Sequence, residues 1–464
     1  MITYIALSPH PPIIIPEVGG DKIKEADSTV QAMKQMADEL LSTKPDTVVF
    51  LTPHGNVFSD CITYLREPQL TGSLANFGRP DIRTSHSNDM VLAQDLTTRL
   101  ELQDIRMVGV NRELAARHQL NAGIDHGILV PLYYLEKAGM KDIPIAAISV
   151  GLLNNTELYG IGKAIQDSAK RLGRRIAVVA SGDMSHRLKS EGPYDVHPDG
   201  SRFDLSLKDF LAQGDVEGIM NLNPSVRKNA GECGYPSIVI MLGVLDGFEF
   251  RTRIFSYEGP FGVGYLVAGL TPGDSCPSIM EKLQARQKAI LEARRAEESP
   301  PVKWARMTLE SFVKEEAKPE LPTDMGSLRN DRAGVFVSLK KNGQLRGCIG
   351  TFLPAYQNLA EEIKNNALAA GLHDPRFSRV EAEELPSLVY SVDILAEPEP
   401  CQRDDLDPKR YGVIVSSGSK RGLLLPDLEG VDTVEEQLQI ALQKGGISPR
   451  DKYKIQRFEA KRFT

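Results

Sequence analysis

Three stretches decide the reading. ITYIALSPH (residues 2–10), TVVFLTPH (47–54) and IAVVASGDMSH (176–186) each run along a short β-branched strand and stop at a histidine. In an open α/β sheet, ligands bind beyond the carboxyl ends of the strands, so residues distant in sequence meet there. His10, His54 and His186 are therefore expected to share one crevice. Pro9 and Pro53 stand before the first two, where a fixed φ and a missing N–H end a strand and aim the next side chain.

Working outward, the apolar runs predict strands over 2–7, 47–51, 105–110, 145–150, 176–180 and 263–270, and helices over 23–41, 90–102 and 157–172. Residues 1–272 thus read as an α/β domain, a mixed sheet flanked by helices. TPGDSCPS breaks the pattern, and residues 273–303 read as a linker with a charged helix that stops before Ser299-Pro300-Pro301. Residues 304–464 read as a smaller α+β domain. Its first hairpin, GVFVSLKKNGQLRGCIGTF, is expected to turn at Asn342-Gly343. A helix over 359–372, a strand over 388–395, a second hairpin over 413–425 and a Gly-terminated helix over 434–446 follow.

The 464 residues exclude a single small module, and 41% hydrophobic with 25% charged residues excludes a disordered or fibrous chain. Lys+Arg 55 against Asp+Glu 62 leaves a net charge of −7, which does not drive phosphate-backbone binding. The basic residues of KRGLLL and DKYKIQRFEAKRF alternate with acids and read as solvated faces, not a nucleic-acid surface. Five scattered cysteines without a CxxC pair argue against a disulfide framework or a cysteine-rich zinc site. No apolar run approaches the ~20 residues a bilayer needs, and the N-terminus lacks a basic flank and a cleavage site, so a cytoplasmic protein is expected. GIGKAI at Gly160 lies inside a helical pattern and is not a dinucleotide fingerprint.

Of the histidines only His373 lies in the second domain, which places the chemistry in the first. Two imidazoles and one carboxylate on one face of an ion make the non-haem Fe(II) triad, with open positions for substrate and dioxygen. The carboxylate candidates are Asp125, Asp183 and Glu232. Glu232 is favoured because NAGECGYPS presents it in a Gly-flanked loop before the apolar helix over 238–245. The same donors suit a zinc hydrolase. In the second domain, strand alternation places Cys348 on the face of Arg346 and opposite Leu345, which makes it a candidate reactive thiol. His373, Asp374 and Arg376 form a polar cluster behind a helix.

SPHPP, TPHG, DHGILVPL, SGDMSH and GECG, in this order, resemble the LigB-type (class III) extradiol ring-cleavage dioxygenase superfamily, which includes the Memo-like proteins. LRGCIGTF, HDPRF and YSVDIL resemble the AMMECR family. The chain is similar to a fusion of two components of the AmmeMemoRadiSam system, whose third component is a radical SAM protein. The resemblance implies an oxidoreductase that opens a catechol-type ring with dioxygen on Fe(II). It implies His10, His54 and Glu232 as iron ligands, His186 as catalytic acid/base and His126 as a substrate-binding histidine. Asp125 and Asp183 would then be partners for histidine N–H groups. Memo-like relatives place a cysteine among the metal-binding residues, which makes Cys233 the alternative ligand and copper or zinc the alternative metal. A metal-binding maturation module serving a radical SAM partner, without ring cleavage, is the alternative function. The sequence is compatible with a homodimer.

Overall fold

The computed structural model describes residues 1–464 apart from Glu316, Lys318, Asn342, Gly343 and Glu429, and apart from the side chains of Gln287 and Gln344. It divides into two units, Met1–Gln287 and Lys288–Thr464, and the charged helix is Met280–Glu297.

The strands of the first unit are β1 (Ile2–Ser8), β2 (Thr47–Thr52), β3 (Cys61–Leu65), β4 (Gln69–Leu74), β5 (Arg79–Ser87), β6 (Arg106–Val110), β7 (Ile145–Ser149), β8 (Ile176–Ser181), β9 (Phe248–Glu258) and β10 (Tyr265–Ser275). Eight form one sheet in the order β6-β3-β7-β2-β8-β1-β10-β9, and β4 pairs with β5 apart from it. The central run β7, β2, β8, β1 is parallel, whereas β10 and β9 extend it antiparallel. The sheet is therefore mixed.

Alternation along the central strands feeds two cores. Ile5, Leu7, Val49, Leu51, Val178 and Ala180 pack with residues of the helices Met90–Glu101, Asn155–Arg171, Pro198–Gln213 and Tyr235–Val244. Ala6, Val48, Phe50, Ala177 and Val179 pack on the other face with Asp27–Ser42 and His126–Lys137. Because both faces are covered, the interiors of these strands are apolar on both sides, with Ser and Thr confined to their ends, which is why they are legible as runs. Among the described residues no helix is long and apolar enough to cross a membrane.

Four strands of this unit lie outside the expected set, as do the strands Glu399–Pro400 and Lys454–Phe463 of the second. β3 is a five-residue buried strand behind a turn, β4 and β5 are polar and half exposed, and β9 is an edge strand whose alternation FEFRTRIFSYE signals it. The glycines of GIGKAI serve packing. A Cβ on Gly162 would stand 1.9 Å from the Ile240 carbonyl oxygen, so only glycine lets the helices Asn155–Arg171 and Tyr235–Val244 lie this close.

In the second unit β11 (Gly334–Lys341), β12 (Gln344–Thr351), β13 (Leu388–Leu395), β14 (Glu399–Pro400), β15 (Tyr411–Ser417), β16 (Lys420–Leu424) and β17 (Lys454–Phe463) form an antiparallel sheet in the order β12-β11-β13-β17-β15-β16, with β14 on β17. The helices Pro300–Glu315 and Leu359–Leu372 cover part of it around the buried Trp304. The expected turn residues Asn342-Gly343 lie outside the described residues, and the two strands they would join are both present.

Gly162→Ala is expected to lower stability by about 1–3 kcal/mol, because the added methyl pushes two helices apart. Urea unfolding followed by circular dichroism reads the loss. The single tryptophan, Trp304, belongs to the other unit, so its fluorescence distinguishes a local loss from a global one. An unchanged midpoint would remove the packing role given to this glycine.

Candidate metal centre

β2, β8 and β1 are adjacent and parallel, so their carboxyl ends open side by side. His54 follows β2, Asp183 and His186 follow β8, and His10 follows β1. The helix His126–Lys137 starts at the same end, held there by Asp125. The structure brings His10, His54, His126 and His186 together at this end, with Asp183 and Cys233.

His10 is the hub. Its Nδ1 lies 2.9 Å from the Ser181 hydroxyl, and that hydroxyl gives its one proton to the Gly127 carbonyl at 2.5 Å. Ser181 can then only accept, so Nδ1 of His10 carries the proton and Nε2 presents a lone pair. That lone pair faces His54 Nε2 at 2.8 Å, Asp183 Oδ2 at 3.7 Å and Cys233 Sγ at 3.7 Å. His186 Nε2 lies 3.9 Å from the same sulfur and 4.0 Å from Asp183 Oδ2. The His126 ring stacks on His54 with centroids 4.3 Å apart.

Burial holds all four imidazoles neutral. His10 is only 2% exposed and falls well below the usual histidine range, with the neighbouring His54, His126 and His186 adding to the effect. His54 and His186 are lowered, and His126 falls to about 4, chiefly through desolvation. Burial pushes Asp183 up to about 7 against the His10 N–H, which donates to Oδ1 at 2.9 Å. The Cys233 thiol is pushed well above its ordinary range by burial and then by the charge of Asp183.

Two sets of donors can each hold an ion, His10 with His54 and His126, and His10 with Asp183 and Cys233, all atoms of a set lying within 4.8 Å of one another. Donor atoms around one ion with bonds of about 2.0–2.3 Å are separated by roughly 3–4.6 Å. The Asp183 and Cys233 contacts of His10 at 3.7 Å fall in that span and the His10–His54 pair at 2.8 Å opens by a few tenths of an ångström to reach it, so the residues fit a metal. Neutral imidazoles with free lone pairs are the form a cation needs.

Glu232 is not brought into either set. Its Oε2 accepts the Tyr235 N–H at 2.7 Å, at the start of the helix Tyr235–Val244. The orphan N–H groups of that turn capture the carboxylate, and burial raises it to about 7. Its neighbour Cys233 turns the other way. The loops cross so tightly that a Cβ on Gly182 would lie 2.1 Å from Gly234 Cα, and the Asp183 N–H points at Cys233 Sγ at 3.3 Å. Asp125 receives the Thr52 hydroxyl at 2.7 Å and the Gly127 N–H at 2.8 Å, so it positions a helix start beside His54 rather than bonding a histidine N–H. Sequence reading missed Tyr194, stacked on His186 at 5.9 Å, and Phe77, 5.1 Å from His126. Neither sits in a motif; Ser181 stands in SGDMSH and was open to reading as a histidine partner.

Residues 4–268 match the family described as the catalytic LigB subunit of aromatic ring-opening dioxygenase, and residues 302–463 match AMMECR1. The chain belongs to the LigB family and carries an AMMECR1 domain. It is 41% identical to Protein CA_C1420 of Clostridium acetobutylicum over 458 residues, covering 97% of each chain. A Thermotoga maritima protein is 51% identical over 176 residues, 36% of this chain and 98% of its own. Among solved structures, uncharacterized protein JW3007 of Escherichia coli K12 aligns with 18% identity over 58% of this chain and 99% of its own, TM-score 0.39. Uncharacterized protein PH0010 of Pyrococcus horikoshii aligns with 32% identity over 35% of this chain and 88% of its own, TM-score 0.33.

In the AMMECR1 domain the face assignment differs from the expected alternation. Pairing shifts between Leu339↔Gly347 and Lys340↔Leu345, so the strand carries one extra residue at Arg346. This bulge puts Leu345 with Cys348 and sends Arg346 to Glu384, which it grips at 2.9 and 2.7 Å. The Cys348 thiol instead receives the Ser338 hydroxyl at 3.2 Å. His373 closes the helix Leu359–Leu372 and is exposed, while Asp374 beside it is buried.

Asp204 supports the His186 loop from beneath, taking the Ser185 N–H at 2.8 Å and the Tyr257 hydroxyl at 2.9 Å, and burial raises it to about 7. A carboxyl raised in the fold contributes stability that is fully present below its unfolded value near 3.8 and is lost as pH rises through about 7. Asp183 and Glu232, raised to about 7 in the same way, share that slope, so Asp204→Asn is expected to reduce it by about a third in a thermal-unfolding series between the two pH values. A variant with the wild-type slope would show that another group carries it.

Proposed function

We propose that the LigB domain holds one divalent ion on His10, drawing His54 from one donor set and Asp183 as the carboxylate from the other, which close together around the ion, and opens the ring of a catechol-type substrate with dioxygen. The observation that carries this reading is the bare Nε2 of His10, faced by a second imidazole and a carboxylate beyond three parallel strand ends. Two neutral nitrogens and one oxygen suit Fe(II), with open positions. Bound iron would supply the electron relay between a catechol and dioxygen.

The chain's own residues handle protons and shape. His186, held neutral by burial, is free to accept a hydroxyl proton from the substrate at Nε2 and to return it. His126 stacks along His54, and Phe77 closes on His126, which makes a flat wall for an aromatic ring. Tyr194 lies parallel to His186, shielding it from solvent on one side.

A second reading rests on Cys233, whose sulfur is as close to His10 as Asp183 is. A thiolate there favours zinc or copper and a role without ring cleavage, as a metal-binding module serving a radical SAM partner. The AMMECR1 fusion favours it as well. Iron and a carboxylate need the Asp183 side of His10, and soft metals need the Cys233 side, so the two readings separate by mutation.

Anaerobic Fe(II) loading should give one equivalent per chain, lost in His10→Ala, lowered more than roughly tenfold in Asp183→Asn and retained in Glu232→Gln and Cys233→Ser. Affinity should rise with pH through about 7, because Asp183 must shed its proton, and Asp183→Asn should flatten that rise. The loaded protein should consume oxygen with a catechol panel and develop ring-opened absorbance. Tight zinc or copper binding that is lost in Cys233→Ser, with no oxygen uptake, would replace this reading by the second.

A further inference from the structure

The open face of the AMMECR1 sheet carries a cavity of about 540 Å³, within the range of small-molecule sites. Its walls include Phe336, Val389, Leu423 and Leu425, which are apolar. The charged side chains that line it are Lys340, Arg376, Lys444 and Arg462 against Asp393, with the Asp374 carboxylate buried beneath Arg376 and Thr464 in the same wall. This is a cationic pocket in a chain whose net charge is −7.

Two of the cations are held in place by carboxylates buried beneath them. Asp393, 2% exposed, takes Arg462 through Nε at 2.8 Å and one terminal nitrogen at 3.3 Å. Asp374, 4% exposed, takes Arg376 through Nε at 2.9 Å and one terminal nitrogen at 2.7 Å, and also receives the Cys348 N–H at 2.9 Å. The same Arg376 nitrogen reaches the Cys348 carbonyl at 3.1 Å. In each pair the second terminal nitrogen has no acceptor among the described residues. Burying two carboxylates is costly unless each is paired, and here the pairing fixes two forks whose remaining donors stay half exposed at one cavity. Guanidinium forks oriented in this way recognise planar or tetrahedral oxyanions. Between them stand the Cys348 thiol and the Ser338 hydroxyl, 3.2 Å apart.

We propose that this cavity binds a small organic anion, a carboxylate or phosphate head on an apolar body, with Arg376 and Arg462 taking the head and Phe336 and the leucines taking the body. This reading does not depend on the metal chemistry of the LigB domain. Neither arginine lies in the hairpin motif LRGCIGTF, but their buried partners stand in HDPRF and YSVDIL, the two other stretches of this domain that resemble its family.

The test uses the full chain with benzoate, phenyl phosphate, inorganic phosphate and neutral benzyl alcohol, with titration calorimetry and site-resolved alkylation of cysteines by iodoacetamide. Benzoate or phenyl phosphate should bind, more weakly as salt rises, and should slow alkylation of Cys348 but not of Cys401, which packs in a separate core. The tighter of the two identifies the head group, and inorganic phosphate should bind less well than phenyl phosphate because it lacks the apolar body. Arg462→Gln and Arg376→Gln should each weaken binding at least tenfold. If either variant fails to fold, the salt dependence and the Cys348 protection in the wild-type chain decide alone. The proposal falls if no anion protects Cys348, if benzyl alcohol protects it as well as benzoate, or if both folded arginine variants bind like wild type.

Discussion

A hydroxyl group has one proton to give, and the LigB domain is organised around where Ser181 gives it. By donating to the Gly127 carbonyl, Ser181 becomes an acceptor for His10 Nδ1, and the far nitrogen of His10 is left bare in a buried site. His54, Asp183 and Cys233 are arranged about that lone pair. His10, Ser181 and Gly127 come from the end of β1, the end of β8 and the first turn of the helix Asp125 caps. Parallel register between β1 and β8, with Ser8 opposite Ser181, is thus the constraint beneath the chemistry. An imidazole tethered in this way needs no rearrangement to accept a cation, which is how a partner hydrogen bond raises the value of a ligand.

The junction at Glu232-Cys233 shows what decides between two adjacent polar residues. A helix start leaves N–H groups without partners, and a carboxylate three residues before one of them is the natural acceptor. Glu232 goes there, as its bond to Tyr235 shows, and the following residue is turned toward His10 by the close crossing of Gly182 and Gly234. Chemistry alone favours the harder ligand for iron, but backbone geometry decides which side chain faces the lone pair. Asp183 supplies a carboxylate from a position that the loop after β8 enforces, with its backbone and Cys233 bonded to each other.

The amount legible in sequence follows the same physics. Strands buried on both faces advertise themselves, and the histidines that end β1, β2 and β8 were visible as a recurring strand-and-stop pattern. The convergence of His126 was visible only through resemblance, because it begins a helix and not a strand end. β3 was hidden because five buried residues behind a turn, Thr63 among them, carry no period, and β4 and β5 because their exposed polar faces lack one. Tyr194 and Phe77 reach the centre from a loop and a short turn whose paths no local pattern encodes. The bond from Tyr235 N–H to Glu232 was not legible because loop presentation and a carboxylate at a helix start share one sequence signature.

In the AMMECR1 domain a single inserted residue has the largest consequence. Strand alternation assigns faces only while the register holds, and one added residue exchanges them. The bulge at Arg346 therefore moves that guanidinium to Glu384 and leaves Cys348 on the side of Leu345, Ser338 and Lys340. The positive charge near the thiol comes instead from Arg376, twenty-eight positions on, tied to the same strand through Asp374 and the Cys348 backbone. Proximity in sequence misassigned the partner because a neighbour at two residues' distance is a neighbour in space only on an unbroken strand. Buried carboxylates are a sounder guide to where a cation has been fixed, since each must find a partner with enough donors to offset its loss of water.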